Sequence, residues 1–232
     1  MVKGLENCGI PQTEAGLLAE KMEAYIKEII LFNSAYNLTN TSDRDELVVR
    51  HIFDSLSAFV QIKKLLEELN QANERSEVFN PVLIADIGSG GGLPGIPLSA
   101  TIQISSEKNP WLKNVQVQLV ERMEKRCAFL ENCIAILGLK NVSVVNSEAE
   151  RLAEKTYDLI TFRAFRPLDK KMAKTLLRIV KEGAYLCAYK AKAENIREEM
   201  SAISSMIPEY QVKELFVPEL KDTERNLVII QK

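Results

Sequence analysis

The sequence predicts an α/β fold. It is Rossmann-like, with a mainly parallel seven-stranded sheet, a C-terminal antiparallel hairpin and an N-terminal helical extension. Three observations predict it. From residue 82 onward, short apolar runs rich in Val, Leu and Ile alternate with helical patterns, as in a doubly wound parallel sheet. The first of these runs ends in Asp86 and passes into Gly88-Ser89-Gly90-Gly91-Gly92-Leu93-Pro94-Gly95, a glycine-rich turn leading into a helix. The last two runs, 212–217 and 227–230, are separated only by a short polar stretch, which suits a hairpin closing the sheet.

Residues 13–33 carry Leu17, Leu18, Met22, Tyr25, Ile26, Ile29 and Ile30 at helical spacing, with Thr13 as the expected N-cap. The turn formers of 33–40 break that pattern. A second helical stretch covers 43–69, in one or two pieces, with Leu47, Val48, Ile52, Leu56, Phe59 and Val60 on one side. Residues 70–80 are polar and read as a linker. The expected division is therefore 1–80 as a helical extension packed on the core and 81–232 as the sheet domain. Beyond the glycine turn, strands are expected at 115–120, 142–145, 158–162 and 184–189. Helices are expected at 125–137, 170–180 and 194–204, and a short helix or loop at 148–155. Residues 105–111, Ser-Ser-Glu-Lys-Asn-Pro-Trp, read as a surface insertion.

The 232 residues suit one large domain, or one domain with an added piece. A net charge of −2 excludes a global basic field, so a nucleic-acid partner requires a local basic patch. No apolar run approaches the roughly 20 residues that span a bilayer, and the first residues lack a signal core. A cytoplasmic location without membrane association is expected. Cys8, Cys127, Cys133 and Cys187 form no CxxC pair, and the chain has one His, so zinc and Cys/His catalysis are poorly supported. The four thiols are expected to be reduced and structural.

The glycine turn alone fits NAD, FAD or S-adenosyl-L-methionine. Asp86 shifts the balance. A carboxylate there can reach the amino group or ribose of S-adenosyl-L-methionine but repels the pyrophosphate of a dinucleotide. Glu121 ends the next strand, where an acid can accept both ribose hydroxyls of either cofactor class. Its spacing from Gly88 exceeds the roughly 20 residues usual for dinucleotide sites. S-adenosyl-L-methionine is therefore favoured, with an NAD-dependent oxidoreductase as the rival class. An antiparallel hairpin on such a sheet points the same way. Marks of amino-group methylation (Asn/Asp-Pro-Pro-Tyr/Phe) and of a Pro-Cys nucleophile are missing. A small-molecule methyltransferase stays open.

Several blocks then match one family in order. They are Asn37-Leu38-Thr39, the run Val49-Arg50-His51-Ile52-Phe53-Asp54-Ser55, the glycine turn continuing as Leu93-Pro94-Gly95-Ile96-Pro97-Leu98, Arg163-Ala164-Phe165, Tyr189-Lys190 and Glu224-Arg225-Asn226-Leu227-Val228. The chain resembles the bacterial RsmG (GidB) family of 16S rRNA guanine-N7 methyltransferases from about residue 20 to the C-terminus. The resemblance implies a class I methyltransferase acting on one guanine of the decoding region of 16S rRNA within the 30S subunit. A monomer is expected, because such a substrate needs an open face.

By position, the resemblance implies cofactor contacts at Gly88, Gly90 and Leu93 in the turn, beside Asp86. Glu121 stands as the ribose acid, Ala149 and Glu150 as the adenine-binding segment, and Arg163 as the arginine near the methyl donor. Arg163, Lys190 and Arg225 form the implied catalytic set, the latter two at the mouth of the site. Glu148 stands where the family often has arginine, so a basic role there is lost or passes to Arg151. As simpler readings, Arg163 is salt-bridged to Asp158 or Glu150, and His51 is a partly buried helical histidine. Phe162 and Phe165 either pack in the core or stack on the base. The basic run Arg166, Lys170, Lys171, Lys174, Arg178 and Lys181 either meets phosphates or is a solvated helix face.

Overall fold

A computed structural model describes residues 1–75, 80–163, 168–221 and 223–232. Phe165 and Arg166 lie outside the described residues. Within them, seven strands form one sheet of order β3-β2-β1-β4-β5-β7-β6. These are β1 (Val82–Ile87), β2 (Val115–Glu121), β3 (Val142–Asn146), β4 (Tyr157–Arg163), β5 (Val180–Lys190), β6 (Gln211–Glu214) and β7 (Asn226–Gln231). The first five pair in parallel, and β7 is antiparallel to both β5 and β6. The chain order reverses beside β1, between β2 and β4. In open α/β sheets, ligands bind at such a switch point, outside the carboxyl ends of the strands.

Strand side chains alternate between two apolar layers, as the period of two requires. Ile84, Val117, Leu119, Leu159, Cys187 and Leu227 enter one core, and Ala85, Ile87, Ile160, Leu186, Ala188 and Val228 enter the other. Helices α1 (Val2–Asn7), α2 (Gln12–Tyr36), α5 (Phe59–Glu74), α6 (Gly95–Ser105) and α7 (Glu124–Leu137) cover the first face. Helices α8 (Lys170–Ile179) and α9 (Ala193–Ile203) cover the second. Between α2 and α5 runs an irregular helical stretch. It comprises α3 (Arg44–Leu47), a wide π-turn (Val48–Phe53) and α4 (Asp54–Leu56). Residues of the N-terminal extension, from Leu5 to Leu66, share one core with the sheet.

Several local expectations are corrected. α2 begins one residue earlier than Thr13, with Pro11 rather than Thr13 at its N-cap. Its buried stripe is Leu18, Met22, Tyr25, Ile26 and Ile29, whereas Leu17 and Ile30 are exposed, as is Val60 of α5. α5 continues to Glu74, through the first part of the stretch read as a linker. The segment around Trp111 is not a free insertion. Ser105 donates to the buried Glu14 carboxylate at 2.6 Å, Lys108 bonds Thr13, and Leu112 is buried, so the segment straps α6 to the start of α2. The C-terminal hairpin forms, but β6 stops at Glu214 because Leu215 and Val217 turn into the core. All four cysteines are buried free thiols.

Candidate functional site

Two clefts of about 620 Å³ each open at the carboxyl end of the sheet. The first lies over β1, β2 and β3 and is lined by Gly88, Glu121, Met123, Arg126, Ala149, Glu150 and Lys171, among others.

The glycine turn builds its floor. Gly88 and Gly90 have φ of 68° and 57°, a left-handed conformation that side-chain-bearing residues resist. Gly95 is required for a different reason. A Cβ there would lie 2.3 Å from Leu119 and 2.6 Å from an Asp86 carboxylate oxygen. That contact shows what Asp86 does. It is fully buried and accepts from Ser89 Oγ at 2.6 Å and from the Gly95 amide at 3.0 Å. Burial raises its pKa to about 6, while those two hydrogen bonds act in the opposite direction. The expected direct reach of Asp86 to a cofactor is therefore corrected, since its side chain lies beneath the turn and holds it. Its carboxylate sits on the first amide of α6, a donor that an incoming phosphate would otherwise take. Leu93 is corrected likewise: it packs into the core and does not line the cleft.

Glu121 is where the sequence put it. Its carboxylate lines the cleft, accepting from the Gly90 amide at 3.0 Å and the Met123 amide at 2.8 Å. Two bonds leave an ionised carboxylate with acceptor capacity for hydroxyls. Ala149 and Glu150 form a tight 3₁₀ turn after β3, held by Arg178, which donates to the Glu150 and Leu152 carbonyls at 3.0 and 2.9 Å. Arg178 and Lys181, the latter paired with Asp158 at 2.8 Å, are thus spent on internal contacts. The basic run is not one solvated face. Arg151 lies 3.7 Å from Glu148, both well exposed.

The N-terminal extension packs against the glycine turn and against Arg126 beside this cleft. Tyr25 Oη donates to the Gly91 carbonyl, and Arg126 donates to the Asn37 carbonyl at 2.8 Å. The Asn33 side chain accepts from the Leu38 and Thr39 amides, both at 2.9 Å, and so shapes the segment that lies against Gly91.

The second cleft lies over β4, β5 and β7. Arg50, His51, Asp54, Phe162, Arg163, Tyr189, Lys190, Glu199 and Arg225 line it. The three sequence-predicted cations Arg163, Lys190 and Arg225 therefore meet in one place, at the ends of β4 and β5 and just before β7. Arg163 lines this cleft and not the first. Its predicted simple partners are also wrong. Asp158 is taken by Lys181, and Arg163 donates instead to Asp54 Oδ2 at 2.6 Å, to the Arg50 carbonyl at 3.1 Å and to His51 Nδ1 at 2.8 Å. Arg225 donates to the other Asp54 oxygen at 3.0 Å. Lys190 pairs with Glu199 at 2.5 Å. Phe162 is buried in the core.

Because a guanidinium only donates, its bond to His51 Nδ1 places the ring proton on Nε2. Burial, with Arg163 and Arg50 beside it, lowers the His51 pKa to about 4, so the ring is neutral near pH 7. Asp54 is the residue that sequence reading did not single out. A signal existed: His51 and Asp54 are three apart on a helical stretch and so share a face. The π-turn aims that face at the cleft, a use for which such turns are known.

The sheet order and the two clefts define the fold of a class I S-adenosyl-L-methionine-dependent methyltransferase. Two solved structures share the fold. One is an S-adenosyl-L-methionine-dependent methyltransferase by assignment, from Methanococcus maripaludis, with TM-score 0.54 and 13% identity over 89% of this chain and 91% of that one. The other is the tRNA methyltransferase TrmI of Aquifex aeolicus, with TM-score 0.51 and 15% identity over 65% of this chain and 62% of that one. In sequence, the chain is 38% identical to the ribosomal RNA small subunit methyltransferase G of Treponema denticola, over all of this chain and 93% of that protein. It is 33% identical to the protein of the same name from Borrelia hermsii, over 98% and 96%. The family model described as rRNA small subunit methyltransferase G (GidB) matches residues 18–228, and the chain belongs to that family. Its cofactor is S-adenosyl-L-methionine.

The first cleft fits that cofactor. A buried acid stands at the end of β2 for a ribose, Ile87, Val120, Met123 and Ala149 offer apolar wall for an adenine, and the left-handed Gly88 keeps that part of the floor free of a side chain. Among the described residues, no helix is long and apolar enough to cross a membrane.

Proposed function

We propose that this protein methylates N7 of one guanine in the decoding region of 16S rRNA, on the assembled 30S subunit, as a cytoplasmic monomer. The single observation that carries the reading is the meeting of Arg163, Lys190 and Arg225 in a cleft beside the cofactor cleft. Family membership supports the rRNA substrate.

When bound, the cofactor supplies an electrophilic methyl group on a positively charged sulfur. Guanine N7 carries an in-plane lone pair and loses no proton before attacking. No general base is needed, and among the described residues the second cleft leaves none free: His51 Nδ1 is occupied by Arg163, and the Asp54 and Glu199 carboxylates are held in ion pairs. The task of the protein is alignment of base, methyl carbon and sulfur. In this reading, Glu121 holds the ribose. The backbone at Gly88 and Gly90 and the Ala149-Glu150 turn border the rest of the cofactor. Arg163 donates to guanine O6 or a phosphate, and Lys190 and Arg225 hold the RNA backbone. The helical extension, residues 1–80, is part of the same folding unit as 81–232 and supplies one wall of the substrate cleft.

The test is incubation with labelled S-adenosyl-L-methionine and three substrates: naked 16S rRNA, intact small subunits and a metabolite extract. Label is expected in RNA as 7-methylguanine, with the subunit preferred. Label confined to small molecules would overturn the RNA assignment.

A further inference from the structure

The second cleft poses an electrostatic problem for the reaction proposed above. Methyl transfer breaks the sulfur–carbon bond and forms the N7–carbon bond. The electron pair of N7 enters the new bond, and that of the broken bond returns to sulfur. A positive charge therefore leaves sulfur and appears on the guanine ring. It arrives in a cleft whose described lining includes the cationic side chains of Arg50, Arg163, Lys190 and Arg225. Repulsion between that forming charge and fixed cations raises the barrier, and the effect is larger in a cleft shielded from water than in bulk solvent.

Among the described residues three carboxylates stand against those cations, and they differ in placement: the exposed Glu46 lies 4.0 Å from Arg50. Glu199 pairs with Lys190 and accepts from the Leu168 amide at 3.2 Å. Asp54 is shared, one oxygen on Arg163 at 2.6 Å and the other on Arg225 at 3.0 Å, and its side chain is 7% exposed. The two arginines come from the end of β4 and from just before β7, while Asp54 comes from the helical extension. His51 is neutral, so of the described groups bonded to the Arg163 side chain it is Asp54 that carries a countercharge; the buried Asp86 also feels Arg163 but is not bonded to it.

We propose that Asp54 is a positioning residue for the methyl transfer: it fixes the planes of Arg163 and Arg225 and offsets their charge, so that the cation forming on the guanine is tolerated. The inference rests on the guanine-N7 reading. It predicts a split between rate and binding that a packing role would not produce. Loss of the Asp54 charge makes the cleft more positive. That favours binding of a polyanion and opposes the chemical step.

Asp54→Asn keeps the shape and one acceptor oxygen but removes the charge. The measurement is single-turnover methylation of small subunits at saturating S-adenosyl-L-methionine, with cofactor affinity measured by titration as a check on folding. The expected result is a rate lowered roughly 30- to 300-fold, a KM for subunits that does not rise, and unchanged cofactor affinity. Asp54→Asn/Arg225→Gln restores the net charge of the cleft and is expected to recover at least about threefold of the lost rate. Asp54→Glu keeps the charge on a longer arm and is expected to stay within roughly tenfold of the parent. A parent-like rate in Asp54→Asn, or a loss expressed only in KM, overturns the proposal. If Asp54→Asn no longer binds cofactor, Asp54→Glu decides, and a loss beyond a hundredfold overturns it. If the parent protein labels no guanine, the substrate assignment fails. A parent-like Asp54→Asn on a labelled guanine overturns only the role of Asp54.

Discussion

The two clefts at the carboxyl end of the sheet are similar in size but are built differently. The cofactor cleft is assembled from successive strand-to-helix turns. Gly88 follows β1, Glu121 ends β2, and Ala149 follows β3. Its central acid is held by amides of the adjacent turn. The substrate cleft is assembled from distant parts of the chain. Arg163 and Arg225 converge on Asp54, a residue of the helical extension far from both in sequence. A cleft made from consecutive turns is rigid because each turn is tied to its own strand. A cleft made by convergence depends on the packing that brings its parts together, so a single substitution there disturbs several elements at once.

The largest expected effect is in the substrate cleft. Arg163→Ala leaves Asp54 buried with one arginine and strips a placed donor from the site. Methylation should fall roughly 100- to 1,000-fold, and stability by about 3–5 kcal/mol, the usual cost of breaking a buried pair. Activity on subunits and urea unfolding measure the two. Full activity at saturating cofactor would remove Arg163 from the site.

Next comes the cofactor cleft. Glu121→Ala deletes the acceptor of two backbone amides as well as the ribose acid. Hydrogen bonds to charged groups contribute about 1.5–3 kcal/mol each, so the cofactor Kd should rise roughly 10- to 100-fold with little change in KM for RNA. If KM for RNA changed instead, the assignment of the two clefts would be reversed. Gly95→Ala should cost roughly 1–3 kcal/mol by thermal unfolding, because its Cβ meets Leu119 and Asp86. An unchanged melting temperature would mean that the turn yields more easily than its packing implies.

The last comparison contrasts the regions through pH, where two opposed effects leave the smallest net change in the parent. Asp86 has a folded pKa of about 6 against an ordinary 3.8. The folded state keeps this proton where the unfolded chain has lost it, so the contribution of Asp86 to stability falls as pH rises from about 4 to about 6. His51 does the opposite. Its pKa of about 4 against 6.5 means that the unfolded chain takes up the proton first, and its contribution is lost as pH falls through the same window. Each is worth up to about 3 kcal/mol, and in the parent they offset. Relative to the parent, Asp86→Asn should gain stability from pH 4 to pH 6, and His51→Gln should lose it. Parallel curves for the two variants would show that one of these environments is misassigned.

Much of the cofactor cleft was legible in the sequence because its parts sit at the ends of strands whose apolar runs announce them. Glu121 could be placed by its position at a strand end, and Gly88 and Ala149, implied by the family resemblance, line the same cleft, whereas Gly90 is not among its lining residues. Asp86 and Leu93 could not be placed in this way. Both adjoin or belong to the turn, but whether a turn side chain faces the ligand or the core depends on backbone torsions that residue type does not reveal. In the substrate cleft, the three cations were legible as strand-end residues, whereas their partners were not. Asp158 was the nearest acid by pattern, yet Lys181 takes it.

What the sequence determined by itself was the fold class and the cofactor loop. Hydrophobic period and glycine chemistry are local, and they act through short stretches of backbone. What only the tertiary structure decided was which side of the sheet the helical extension covers, that the segment around Trp111 straps α6 to α2, and that Asp54 joins Arg163 to Arg225. Those outcomes follow from packing between residues far apart in the chain, where the shape of the assembled core determines which side chains meet.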